Sequence, residues 1–88
     1  MSNSIRDEQS QKNKEKLLFL IKEAGYDNYR QFCKDIGLDQ SNLYCNLDGT
    51  WNISVKRMFQ IANHLGVHIN QILEIFYPEE FAENQKLL

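Results

Sequence analysis

Cys33, Cys45, His64 and His68 are the residues of this chain whose types suit metal binding or covalent chemistry. Two thiolates reach one zinc ion when only a few residues separate them, and Cys33 and Cys45 stand well outside that spacing. His64 and His68 are spaced like finger ligands, but Gly66 between them ends a helix. The reading is therefore no metal site, with Cys33 a small core residue. No nucleophile, base and orienting group converge at a readable spacing, and no glycine-rich phosphate loop is present. The chain is expected not to be an enzyme and to need no cofactor. With 88 residues it can bury one compact core but has little room for a deep cleft, so no small-molecule substrate is expected.

What remains is recognition, and aromatic side chains are its usual anchors. Trp51 has two readings: a ring covering the rim of the core beside Gly49, or an anchor for a partner. Tyr44, Trp51 and Tyr29, with Asp39 and Asp48 nearby in sequence, make a candidate aromatic and acidic surface.

These residues must be positioned by helices. Residues 1–11 lack apolar periodicity and read as a flexible N-terminal arm. From Lys12, Leu17, Leu20, Ile21 and Ala24 recur at helical spacing, and Gly25 stops the run. Leu18 and Phe19 lie off that face, so this helix is either central or covers a second surface. Asn28 with Gln31 forms a capping-box pattern for a second helix, with Phe32, Cys33 and Ile36 inward and Gly37 at its end. Asp39 caps a short third helix carrying Leu43 and Leu47 inward, closed by Gly49. The short link between these two helices makes them cross steeply. Ser54 caps a fourth, with Val55, Met58, Ile61, Ala62 and Leu65 inward and Gly66 ending it. His68 or a neighbour opens a fifth bearing Ile69, Ile72, Leu73 and Phe76, which runs out before Pro78. The fold expected is all-α, with five helices.

The same segments resemble a known family. Phe32-Cys33-x-x-x-Gly37-Leu38-x-Gln40-Ser41-x-Leu43-x-x-x-Leu47-x-Gly49 is similar to the helix-turn-helix core of the Cro/C1-type (lambda-repressor-like) regulators. Ser54-Val55-x-x-Met58-x-x-Ile61-Ala62-x-x-Leu65-Gly66-Val67 is similar to the family's fourth helix and the turn after it. The likeness spans about residues 14–76. It implies a five-helix lambda-repressor-like helix-turn-helix domain over residues 12–77, followed by a tail at 78–88. In the family the third helix lies in the DNA major groove. Carried over residue by residue, Gln40, Ser41, Asn42, Tyr44 and Cys45 are the implied base contacts, and Gln and Asn amides suit adenine.

Several positions differ from the family pattern. Tyr29 stands where a phosphate-bracing Gln is common, Asp39 where Ser is usual, and Asn46 where an apolar residue is more frequent. No Lys or Arg occurs from Asp35 to Val55, a stretch whose ionised groups are Asp35, Asp39 and Asp48. The whole chain carries −2, without the basic excess that non-specific DNA affinity draws on. The arm, Lys16, Lys22, Arg30, Lys34, Lys56 and Arg57 are left to supply charge from the flanks.

The resemblance therefore implies a small transcriptional regulator of a phage or mobile-element genetic switch, with two mechanisms open. In one, it binds a double-stranded DNA operator through helix three. In the other, it is an antirepressor or modulator that binds a repressor protein and blocks that protein's DNA-binding face, for which Tyr44, Trp51, Asp39 and Asp48 are suited. An antitoxin role shares the fold. Ile75, Phe76, Tyr77, Phe81, Leu87 and Leu88 exceed what one helix face uses. They read either as a tail folded on its own domain or as a surface for a homodimer or a hetero-association. The polar N-terminus lacks the apolar stretch of a secretory signal, and the longest apolar run, Leu17 to Ile21, is too short for a bilayer. Two cysteines without an export signal point to reduced thiols in a cytoplasm, and the resemblance implies that of a bacterial host cell. Leu43→Asp should unfold the domain, because the new carboxylate would be buried without a partner; circular dichroism of the variant tests this.

Overall fold

The computed structural model describes the backbone of residues 3–87 and the side chains of residues 8–83. It is all-helical, with α1 at Asn3–Glu23, α2 at Tyr29–Ile36, α3 at Gln40–Leu47, α4 at Val55–Leu65, α5 at Ile69–Phe76 and α6 at Pro78–Leu87. No strand occurs among the described residues. Helix α5 is the hub: it packs against α1, α3, α4 and α6.

The short helices begin where their caps dictate. Asn28 accepts from the backbone N–H of Gln31 at 2.9 Å, and the Gln31 side chain accepts from the N–H of Asp27 at 2.7 Å. The box is closed one residue upstream of its usual partner, with the same effect of satisfying two N–H groups that a helix start leaves free. Asp39 accepts from Asn42 N–H at 3.0 Å, and Ser54 from Arg57 N–H at 3.1 Å. His68 opens α5 by accepting at Nδ1 from Asn70 N–H at 3.1 Å. At Gly37 the backbone turns left-handed, φ 76°, and Leu38 N–H donates back to Cys33 at 2.8 Å. That reversal, cheap for glycine, directs the chain from α2 into α3 within three residues.

One core holds Leu17, Ile21, Phe32, Cys33, Ile36, Leu43, Leu47, Met58, Ile61, Ala62, Leu65 and Ile72, as their spacing predicts. Leu20 and Ile69 are only half-buried at its edge, and Ala24 is exposed beyond the end of α1. Val55, expected inward, is exposed. It is the first residue of α4, and the extended chain before Ser54 turns Ile53 into the core instead. Ile75 is also buried, so it belongs to the core rather than to a surplus apolar surface.

Two segments differ from their sequence reading. Residues 1–11, read as a flexible arm, are helical from Asn3 onward; Met1 and Ser2 lie outside the described residues. The helix extends there on polar contacts. Ser10 and Asn13 are buried, Gln9 donates to Asn13 Oδ1 at 3.0 Å, and Asn13 Nδ2 donates to the carbonyl of Leu47 at 3.2 Å. Leu47 ends α3, so Asn13 satisfies one of the carbonyls that a helix C-terminus leaves open.

Residues 78–88, read as a tail, form α6 through Leu87, giving six helices where five were expected; Leu88 lies outside the described residues. Pro78 takes the first helical position, where a missing N–H costs nothing. The preceding Tyr77 hydroxyl donates to the Ile53 carbonyl at 3.0 Å, which fixes where α6 starts. Of the surplus apolar residues, Phe76, Tyr77 and Phe81 are half-buried, whereas the side chains of Leu87 and Leu88 lie outside the described residues.

Asn13→Ala should cost about 1–3 kcal/mol, the loss of a bond to an otherwise unpaired carbonyl. A urea midpoint equal to that of the wild type would show that the Leu47 carbonyl does not depend on this amide.

Candidate nucleic-acid interface

The α2–α3 pair leaves part of α3 facing out. Ser41 and Asn42 are exposed, and Gln40, Tyr44, Cys45 and Asn46 are half-buried. Gln40 Nε2 donates to the Tyr44 hydroxyl at 2.9 Å, so the two side chains one turn apart hold each other in place. The Tyr44 ring rests edge-on against Tyr29, centroids 5.3 Å apart at 85°. On another part of this ring, Lys14 Nζ of α1 lies 5.0 Å from the centroid, within cation–π range.

Tyr29 is not on the surface. It is buried, and its hydroxyl donates to the backbone carbonyl of Lys14. This corrects its placement on an exposed aromatic face: it is a core residue supporting Tyr44 from behind. Burial, and next the neighbouring Tyr44, push its phenol well above the ordinary range, so it remains a neutral donor.

The carboxylates near α3 have structural tasks. Asp39 caps α3. Asp48 accepts from Thr50 N–H at 2.9 Å and from Thr50 Oγ1 at 2.6 Å, shaping the turn after α3. Asp35 accepts from the Tyr26 hydroxyl, which draws it toward the turn between α1 and α2. That bond, ahead of burial and the Asp35 charge itself, raises the Tyr26 phenol. Next in the chain, Trp51 is 54% exposed. Its backbone is fixed at both ends, N–H to Cys45 O at 3.3 Å and carbonyl to Asn46 Nδ2 at 3.1 Å. Asn46, unusual at a position expected to be apolar, thus ties the end of α3 to the following loop.

Two cations join this face: Arg57, one of the flanking charges the sequence offered, and Lys14, which it did not single out. Lys14 comes from α1. Arg57, in the first turn of α4, borders a cleft of about 270 Å³ with Asp39, Asn42, Asn46, Asn52 and Ser54. Arg57 Nη1 donates to Gln60 at 3.0 Å, and Gln60 in turn donates to the Ile36 carbonyl at 3.2 Å. The guanidinium is therefore anchored to the α2–α3 turn itself. The face combines exposed hydroxyl and amide groups, one aromatic ring, capping carboxylates and a cation on each flank. Such a set can donate and accept hydrogen bonds.

Among the described residues, no three His, Cys, Asp or Glu gather to hold a metal ion, and no helix is long and apolar enough to cross a membrane. Comparison with protein-family models, with curated proteins and with solved structures finds no match to this chain.

The two thiols differ in setting. Cys33 is buried between α2 and its neighbours, and burial, with a smaller contribution from Asp39, raises its pKa. Cys45 is partly exposed on α3. In native protein one thiol should react readily with Ellman's reagent while Cys33 reacts roughly tenfold slower or less, and only denaturant should equalise them. Cys45→Ser should remove the fast phase; its persistence would mean that Cys33 is accessible.

Proposed function

We propose that this protein is a small Cro/C1-type transcriptional regulator that reads double-stranded DNA through α3. The observation that carries the reading is the outward face of α3, where Ser41 and Asn42 are exposed beside a Gln40–Tyr44 pair. A helix presenting short polar and amide side chains at its N-terminal half suits base edges in a major groove. The absence of Lys and Arg from 35 to 55 is offset by Lys14 and Arg57, which are brought in from α1 and α4. The nearby carboxylates also cost less than their number suggests, because Asp39 and Asp48 are engaged in cap and turn, and Asp35 bonds Tyr26.

A second reading is favoured by Trp51. An indole 54% exposed on a loop held at both ends is a rigid apolar anchor, which a protein partner uses better than a phosphate backbone does. In that reading the protein binds a repressor over its DNA-contacting face, with Asp39 and Asp48 on the rim.

The experiment is selection of duplexes from a random pool, followed by a salt-titrated anisotropy assay. A duplex bound at about 10⁻⁸ M or tighter at physiological salt is expected. Asn42→Ala should lose about 1–3 kcal/mol at one base position, whereas Lys14→Ala should weaken all sequences alike and lower the salt slope by about 1. No enriched duplex, together with capture of a repressor that Trp51→Ala abolishes, would replace the first reading with the second.

A further inference from the structure

One stretch of this chain is free of acidic residues. From Gly49 to Leu73 there is no Asp or Glu, and Lys56 and Arg57 stand in the first turn of α4. Of the acidic groups outside it, Asp48 follows α3, and Glu79 and Glu80 open α6. Each charge set borders apolar surface of a different shape.

On α4, Val55 is 63% and Phe59 49% exposed. They are one turn apart and share a helix face. Phe59 also lines, with Lys56 and Arg57, an open groove of about 570 Å³ along the outside of the helix. The result is an apolar ridge with a basic border, and the border is partly rigid because Gln60 holds Arg57.

The complementary surface lies where α1, the end of α3 and the start of α6 meet. There a cleft of about 500 Å³ has Phe76, Tyr77 and Pro78 along one wall and polar Gln9, Asn46 and Asn52 along the other sides. Glu79, Glu80 and Asp48 also line it. Glu79 and Glu80 are exposed, so their charge reaches whatever enters.

We propose that these two surfaces bind each other between copies of this chain, the Val55–Phe59 ridge of one entering the acidic cleft of the next. The occupant is a second copy because the chain carries both halves of the match. An exposed valine and phenylalanine meet an apolar wall, and Lys56 and Arg57 meet Glu79 and Glu80. Apolar contact at the centre with opposite charges at the border is the anatomy of a protein interface. The charges set orientation and exclude the two like-with-like alignments, ridge on ridge and cleft on cleft. This association would draw on Arg57 and Asp48, which also border the α3 face, whereas Lys56, Phe59, Glu79 and Glu80 lie outside it.

Sedimentation equilibrium of the full chain tests it. The wild type should exceed its monomer mass of 10.4 kDa as concentration rises. Lys56→Glu and Glu80→Lys, both at exposed positions, should each weaken association tenfold or more, since each sets like charges against one another. An equimolar mixture of the two should recover it, because the unaltered ridge of the Glu80→Lys variant then meets the unaltered cleft of the Lys56→Glu variant. Phe59→Ser should also dissociate the assembly while leaving the helical circular dichroism intact. A wild type that stays at monomer mass at every concentration overturns the proposal. So does association unchanged in both charge variants, or a mixture that fails to associate.

Discussion

The amide of Asn13, buried between α1 and the end of α3, ties α3 to the rest of the molecule. A helix of eight residues is too short to be stable alone and leaves its last carbonyls unpaired. Asn13 answers one of those carbonyls from a helix far away in sequence, and Gln9 holds Asn13 in turn. One residue on, the Lys14 carbonyl receives the Tyr29 hydroxyl, and the Lys14 ammonium lies over Tyr44. The same turn of α1 therefore secures the end of α3, the start of α2 and the aromatic ring on the outer face. Moving α1 would release all three together.

This arrangement also explains how an acidic stretch can present a face that is not simply repulsive to anions. Carboxylates that cap helices or close turns spend part of their charge on backbone N–H groups. Asp39 and Asp48 are of this kind. The compensating cations are supplied by neighbouring helices, one from α1 and one from α4, each held by a specific contact rather than by sequence proximity. Net charge over a window of sequence is consequently a poor guide to the field at a surface assembled from three helices.

The α6 helix alters the same picture at the other end. It covers part of the apolar surplus after α5 and contributes Glu79 and Glu80 to a cleft shared with α1 and α3. What would otherwise be a bare rim of the core becomes a surface with defined walls and a defined charge. The basic ridge on α4 has the opposite character, so the molecule is polar in its surface chemistry although its net charge is only −2.

The sequence by itself determined the caps at Asn28, Asp39 and Ser54, the opening of α5 to within a residue or so of His68, and nearly all of the core. These are legible because helical period and capping act within one or two turns of the chain. Of Gln40, Ser41, Asn42, Tyr44 and Cys45, which the resemblance places on the contacting side of α3, Ser41 and Asn42 are exposed and the others half-buried. Tertiary structure alone decided the remainder. Asn13 holds α1 to the end of α3 by a polar contact and α6 packs on α5, and neither shows as an apolar stripe in the sequence. Tyr29 could not be assigned to core or surface from its position at a helix start, because the group that buries its hydroxyl is the backbone of Lys14. Lys14 and Arg57 became part of the α3 face for the same reason. A side chain's distant partner is fixed by how helices cross, and nothing in local spacing encodes that.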